Sequence, residues 1–168
     1  MSTILLFSSI AHADNENFVT QSVRQIKKGI EDKHPSAYYI LAHKLFVKGQ
    51  KEEAVFWFYT GQIRYRYHLA VHPDLEPSGD PALFSSFTEV IGRPINEFAF
   101  GDLPQILEII TKSLEWDQSH SNGFTPKEKD PEQYEEVISG LKSLQSWILE
   151  EGDSIRKQRK QKGLENRT

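Results

Sequence analysis

The chain contains no cysteine in its 168 residues. That absence excludes disulfides, thiolate zinc sites, iron–sulfur ligation and cysteine nucleophiles together. An excess of positive charge is also missing: Lys and Arg total 20 against 24 Asp and Glu, a net charge of −4. No global basic field is present to draw in nucleic acid or an anionic membrane, so a nucleic-acid partner is not expected. Beyond residue 13 no apolar run is long enough to span a bilayer, so no integral membrane segment is expected. Catalytic signatures are lacking as well. There is no G-x-S-x-G, Ser85, Ser86 and Ser139 stand in no triad context, and no glycine-rich loop is built to cradle a phosphate. The reading is a non-enzymatic chain without cofactor or metal, whose specific contacts come from carboxylate, histidine, serine and arginine.

What is present suits one soluble domain: 38% hydrophobic and 26% charged residues, with 10 Gly and 8 Pro. Residues 1–13 (MSTILLFSSIAHA) place a short apolar run, Ile4-Leu5-Leu6-Phe7, ahead of Ala11-His12-Ala13, the A-x-A form of a signal-peptidase site. They are read as the remnant of a signal peptide, with a mature domain over 14–168 that is periplasmic or secreted. A cysteine-free chain suits such an oxidising compartment because it cannot mispair.

Helical periodicity dominates the rest. Phe18, Val23, Ile26 and Ile30 share a face and predict a first helix from Asn17 to about Asp32. A second follows Pro35 to Val47, and Gly49 turns the chain into a third that runs to about Val71. A fourth, from Pro81 to Ile91, is predicted to stop sharply at Gly92-Arg93-Pro94, leaving 95–100 as a helical turn or extended connector. Asp102 caps a helix to about Trp116-Asp117, with Leu103, Ile106, Leu107, Ile110 and Leu114 on one stripe. The last opens at Asp130-Pro131, carries Tyr134, Val137, Ile138, Leu141, Leu144 and Ile148 inward, and reaches Ile155 before a basic tail predicted to fray from about residue 156. The expected fold is an all-α, single-domain bundle of about six helices.

Residues 36–66 carry Tyr38, Leu41, Ala42 and Leu45 on one helix, Gly49 in the turn, and Ala54, Phe58 and Gly61 on the next. Small residues at Ala42, Ala54 and Gly61 allow close helix approach while large ones fill the gaps. This stretch resembles one helix–turn–helix unit of the TPR and Sel1-like repeats. No second copy follows at the period of about 34 residues, so a single hairpin embedded in another bundle is expected. The resemblance implies a binding scaffold. Residues 91–96 (IGRPIN), 114–117 (LEWD) and the closing 156–167 are similar to small exported bacterial proteins found as immunity partners of type VI secretion effectors. That similarity implies a cognate protein effector as partner and inhibition of a secreted toxin as function; the alternative is a periplasmic helical protein that binds a small ligand or peptide.

The third helix holds aromatics in every azimuthal direction, the pattern of a central core helix. It also carries Gln62, Arg64 and Arg66, which seldom lie buried without partners. Tyr, Trp and Arg dominate interface energetics. The partner-binding set is therefore Trp57, Tyr59, Gln62, Arg64, Tyr65 and Arg66, with Asn96, Trp116 and Asp117; pairing of the two arginines with Glu89, Glu97 or Asp117 is the competing reading. His68 and His72, one turn apart and followed by Asp74, could face one metal ion, but Leu69 stands where the zinc-protease motif needs Glu, and a solvated helix end is preferred. Glu115 and Asp117 beside Trp116 are read as helix-end surface residues. The acidic loop 74–80 and the polar loop around 119–123 are further places for partner contact.

Overall fold

The computed structural model describes residues 18–168. The expected signal-peptide remnant lies outside that range. Among the described residues the chain is all-helical, with no strand and seven α-helices in one domain: α1 (Val23–Lys27), α2 (Ser36–Val47), α3 (Lys51–Ala70), α4 (Asp80–Phe87), α5 (Arg93–Ala99), α6 (Leu103–Ser119) and α7 (Pro131–Gln161). No helix of the described residues is long and apolar enough to cross a membrane.

The first predicted helix is interrupted twice, leaving helical residues at 18–20, 23–27 and 30–32. Ser22 and Gln25 form a reciprocal capping box at the start of α1, with the Ser22 amide donating to Gln25 Oε1 at 2.8 Å. Gly29 then turns left-handed at φ 63° and a 3-10 turn, Ile30–Asp32, follows. Ile26 and Ile30 are both buried on either side of the break.

Helix α3 is the hub, packing against α2, α4, α5, α6 and α7. Gly49, at φ 82°, closes the turn that sends α3 back along α2. A Cβ at Gly61 would lie 2.7 Å from the Cβ of Tyr38, so the two helices approach closely there because no side chain intervenes. The aromatic residues of α3 that pointed in all directions find cover on every side, which explains why Phe58, Tyr59, Tyr65 and Tyr67 are all buried.

The stop predicted at Gly92-Arg93-Pro94 does not occur. Gly92 keeps right-handed helical dihedrals, and a π-helical turn, Thr88–Gly92, carries α4 into α5. Pro94 falls in the first turn of α5, where its missing N–H costs nothing. Gly92 serves packing instead of termination: a Cβ there would sit 2.8 Å from the Phe58 ring.

Helices α6 and α7 start where their caps place them. Asp102 accepts from the Gln105 amide at 3.0 Å and Asp130 from that of Gln133 at 3.1 Å. The basic tail is not frayed. Helix α7 runs to Gln161, Gly163 turns left-handed, and the last residues fold back onto the α5–α6 junction. There the Arg167 amide donates to Gly101 O at 2.6 Å, its guanidinium donates to Phe98 O at 2.6 Å, and Arg159 donates to Glu165 O at 2.6 Å.

Candidate functional site

A groove of about 630 Å³ runs between α3, α5 and α7. Phe58, Tyr59, Gln62, Arg66 and Ala70 reach it because residues three and four apart share a helix face. Asn96 and Phe100 close one side. Gln133, Val137, Gly140, Leu141 and Leu144 form the other, a stripe along about 16 Å of α7 at 1.5 Å per residue. The floor is apolar and the rim polar. Tyr59 donates its hydroxyl to Asn96 Oδ1 at 2.9 Å, and its burial holds the phenol far above the usual tyrosine range. Arg66 donates through Nε to Gln62 Oε1 at 2.8 Å and lies over the Phe84 ring, while its side chain stays exposed. Four of the nine residues selected from the sequence, Tyr59, Gln62, Arg66 and Asn96, therefore meet here.

The other five do not. Trp57, Arg64, Trp116 and Asp117 lie on the opposite side of α3, facing α6. Arg64 Nε stands 2.5 Å from Asp117 Oδ1, and its terminal nitrogens donate to Ser121 O at 2.7 Å and His120 O at 3.3 Å. Tyr134 donates to Asp117 Oδ2 at 2.6 Å, and Lys127 donates to the Asp117 carbonyl. The Arg64 guanidinium also covers the Trp116 ring, which meets Trp57 edge-on. Every strong group in this cluster is spent inside the protein, so it is a buried polar core and not a binding rim. Asp117 is no helix-end surface residue either; it is fully buried. The polar loop beyond α6 is likewise committed, with the Gly123 amide donating to Glu31 O at 3.0 Å and Asn122 accepting from Thr125.

Tyr65 belongs to a third place. Its hydroxyl is 3.3 Å from Asp80 Oδ1, and Oδ2 of the same carboxylate receives His34 Nε2 at 3.1 Å and His68 Nε2 at 3.0 Å. Burial pushes the Asp80 carboxyl upward, but the hydrogen bonds from the two imidazoles outweigh it and hold the group well below the usual carboxylate range. Burial lowers His68 from its ordinary value, against the opposing pull of Asp80. His72 is not in this cluster: its Nδ1 donates to His68 O at 2.8 Å and its Nε2 meets Lys129. The solvated helix end preferred from the sequence is therefore not found at His68, which is buried. His34 and Asp80 are far from it along the chain, and no local pattern connects the three.

No family model, no curated protein and no solved structure matches the chain.

Chemically, the groove offers shape, apolar area and hydrogen bonds. Among the described residues it holds no histidine, serine or lysine, and its one carboxylate is the exposed Glu136. Ser36 Oγ lies 2.8 Å from His34 Nδ1, and His34 contacts Asp80, but Ser36 is fully buried in the first turn of α2 where no substrate reaches it.

Proposed function

We propose that the protein acts by binding, and that a segment of a partner protein lies in the groove between α3, α5 and α7. The observation that carries this reading is the groove itself: an apolar floor of Phe58, Phe100, Leu141 and Leu144 rimmed by Gln62, Arg66, Asn96 and Gln133. A trough about 16 Å long accepts about five residues of extended chain or three turns of helix. Exposed Arg66 and Glu136 on opposite sides favour a segment carrying both signs of charge, and the side-chain amides supply backbone-like donors and acceptors.

The signal-like start and the resemblance to immunity proteins sharpen the reading to a periplasmic inhibitor of a secreted toxin. A second reading, capture of a small ligand, is favoured by the groove volume, which lies in the range of small-molecule sites.

Gly140 separates the two from a merely structural groove. It lines the trough, and a Cβ there meets nothing within 4 Å, so Gly140→Phe fills the trough without disturbing the core. Affinity capture by wild type and Gly140→Phe, with thermal melts of both, tests the proposal. The expected result is a stoichiometric secreted partner whose affinity falls at least about tenfold, or about 1.4 kcal/mol, in the variant. Equal capture by both proteins would sink it. A small molecule seen by native mass spectrometry on wild type and lost from the variant would establish the second reading.

A further inference from the structure

We propose that His34, His68 and Asp80 form a binding site for one divalent transition-metal ion of the zinc class, with Nε2 of both imidazoles and a carboxylate oxygen of Asp80 as ligands. The site is separate from the groove and does not depend on the reading given to it.

Geometry carries the proposal. The three ligand atoms all lie within 4.8 Å of one another, and both Nε2 atoms approach the same oxygen at 3.0 and 3.1 Å. An ion bound at about 2.0–2.1 Å with tetrahedral angles holds its ligand atoms about 3.3 Å apart, so the two nitrogen–oxygen pairs have to open by only about 0.3 Å, while the two imidazole nitrogens, no more than 4.8 Å apart, settle to the same spacing. The three residues come from different places, His34 just before α2, His68 near the end of α3 and Asp80 opening α4. Packing of three separate elements fixes them, so their convergence is built into the fold.

The surroundings are those of a metal site as well. A histidine that ligates through Nε2 carries its proton on Nδ1 and needs an acceptor there. Thr125 Oγ1 stands 3.0 Å from Nδ1 of His68, and Ser36 Oγ 2.8 Å from Nδ1 of His34. The Ser36 amide, now 3.2 Å from the same nitrogen of His34, gives up that contact when the proton moves. Tyr65 steadies the other oxygen of Asp80. The Phe124 ring packs edge-on to His34 and tilted against His68, excluding water from one side. His34, His68 and Asp80 keep 10%, 7% and 14% of their side-chain surface accessible, which leaves a way in for an ion.

The donor set decides the class of ion. Two imidazoles and one carboxylate suit zinc, cobalt, nickel or copper, whereas calcium and magnesium call for six or more oxygen ligands or near-octahedral oxygen and water shells. Three protein ligands leave a position for an exchangeable fourth.

The test uses the tag-free 168-residue chain, stripped with chelator and titrated with Co²⁺ under visible spectroscopy. The expected result is d–d absorption that saturates at one equivalent and is displaced by Zn²⁺. His68→Gln and Asp80→Asn should weaken binding at least tenfold, while His43→Gln and His120→Gln leave it unchanged. Because removal of a buried histidine can impair folding, the wild-type protein supplies an independent readout. Zn²⁺ should move the proton of His34 and His68 from Nε2 to Nδ1 in nitrogen NMR. Absence of saturable binding, binding lost with His43 or His120, or imidazole signals of His34 and His68 that ignore Zn²⁺ would each overturn the proposal and leave the cluster as a hydrogen-bonded clamp.

Discussion

Arg64 on α3 and Asp117 on α6 are paired at the centre of the bundle, 2.5 Å apart, with side chains 1% and 0% exposed. Both charges have left water, and each is satisfied by the other and by a shell of fixed groups: the carbonyls of Ser121 and His120 on one side, the Tyr134 hydroxyl and the Lys127 ammonium, 3.6 Å from Asp117 Oδ2, on the other. The pair therefore locks the register of α3 against α6 and pins the loop that follows α6. Its worth depends on completeness, because a lone buried charge is far more costly than the pair is favourable.

Asp117→Ala is expected to lower stability by about 3–5 kcal/mol, since Arg64 is left buried without its carboxylate. The double variant Arg64→Met with Asp117→Leu should recover much of that loss, because apolar residues of similar volume need no partner. Urea denaturation of the two single variants and the double variant gives the coupling. A double variant no more stable than Asp117→Ala would contradict this account.

Two glycines on facing helices should respond with opposite sign. Gly61→Ala drives a Cβ against the Cβ of Tyr38, an atom that no rotamer change can move, and should cost about 1–3 kcal/mol. Gly140→Ala meets open space in a helix interior and should gain about 0.5–1 kcal/mol from helix propensity alone. Thermal melts followed by circular dichroism are sufficient. Destabilisation at Gly140 comparable to that at Gly61 would show that the groove wall is not open as described.

Alkaline pH provides a third check. Burial raises the phenols of Tyr38, Tyr39, Tyr59 and Tyr134 far above the usual tyrosine range, with the Asp117 contact adding to the shift of Tyr134. A group whose folded value is raised contributes stability that is fully present below its unfolded value and is lost as pH rises toward the folded one. Stability should therefore hold up to about pH 10 and fall above it. Tyrosinate absorbance should then appear together with loss of helical signal, in one cooperative transition. Gradual ionisation of these four side chains with the helices intact would contradict the burial assigned to them.

How much of this was legible beforehand depends on the reach of each interaction. Asp102 and Asp130 cap helices three residues ahead, and the stripe from Leu103 to Leu114 repeats within single turns, so both could be read directly from spacing. Gly92 and Pro94 misled because the same two residues serve equally at a helix end or inside a π turn continued by a new helix. The approach of Phe58, more than thirty residues away in the chain, fills the space that Gly92 leaves. The basic tail misled for a similar reason: its charge pattern is that of a solvated end, yet carbonyls at Phe98 and Gly101 capture Arg167.

The binding residues divide along the same line. By itself the sequence determined the helical class, the placement of most helices and the fact that α3 carries too many aromatic and polar groups for an ordinary surface helix. Tertiary structure decided where each of those groups goes. It sent Tyr59, Gln62 and Arg66 to the groove, consumed Arg64 in a pair with Asp117, and joined His68 to His34 and Asp80 in place of His72. Caps and periodicity act within one turn of chain, so sequence carries them; the partner of a side chain is set by which helix packs over it, and that exists only once the whole bundle has closed.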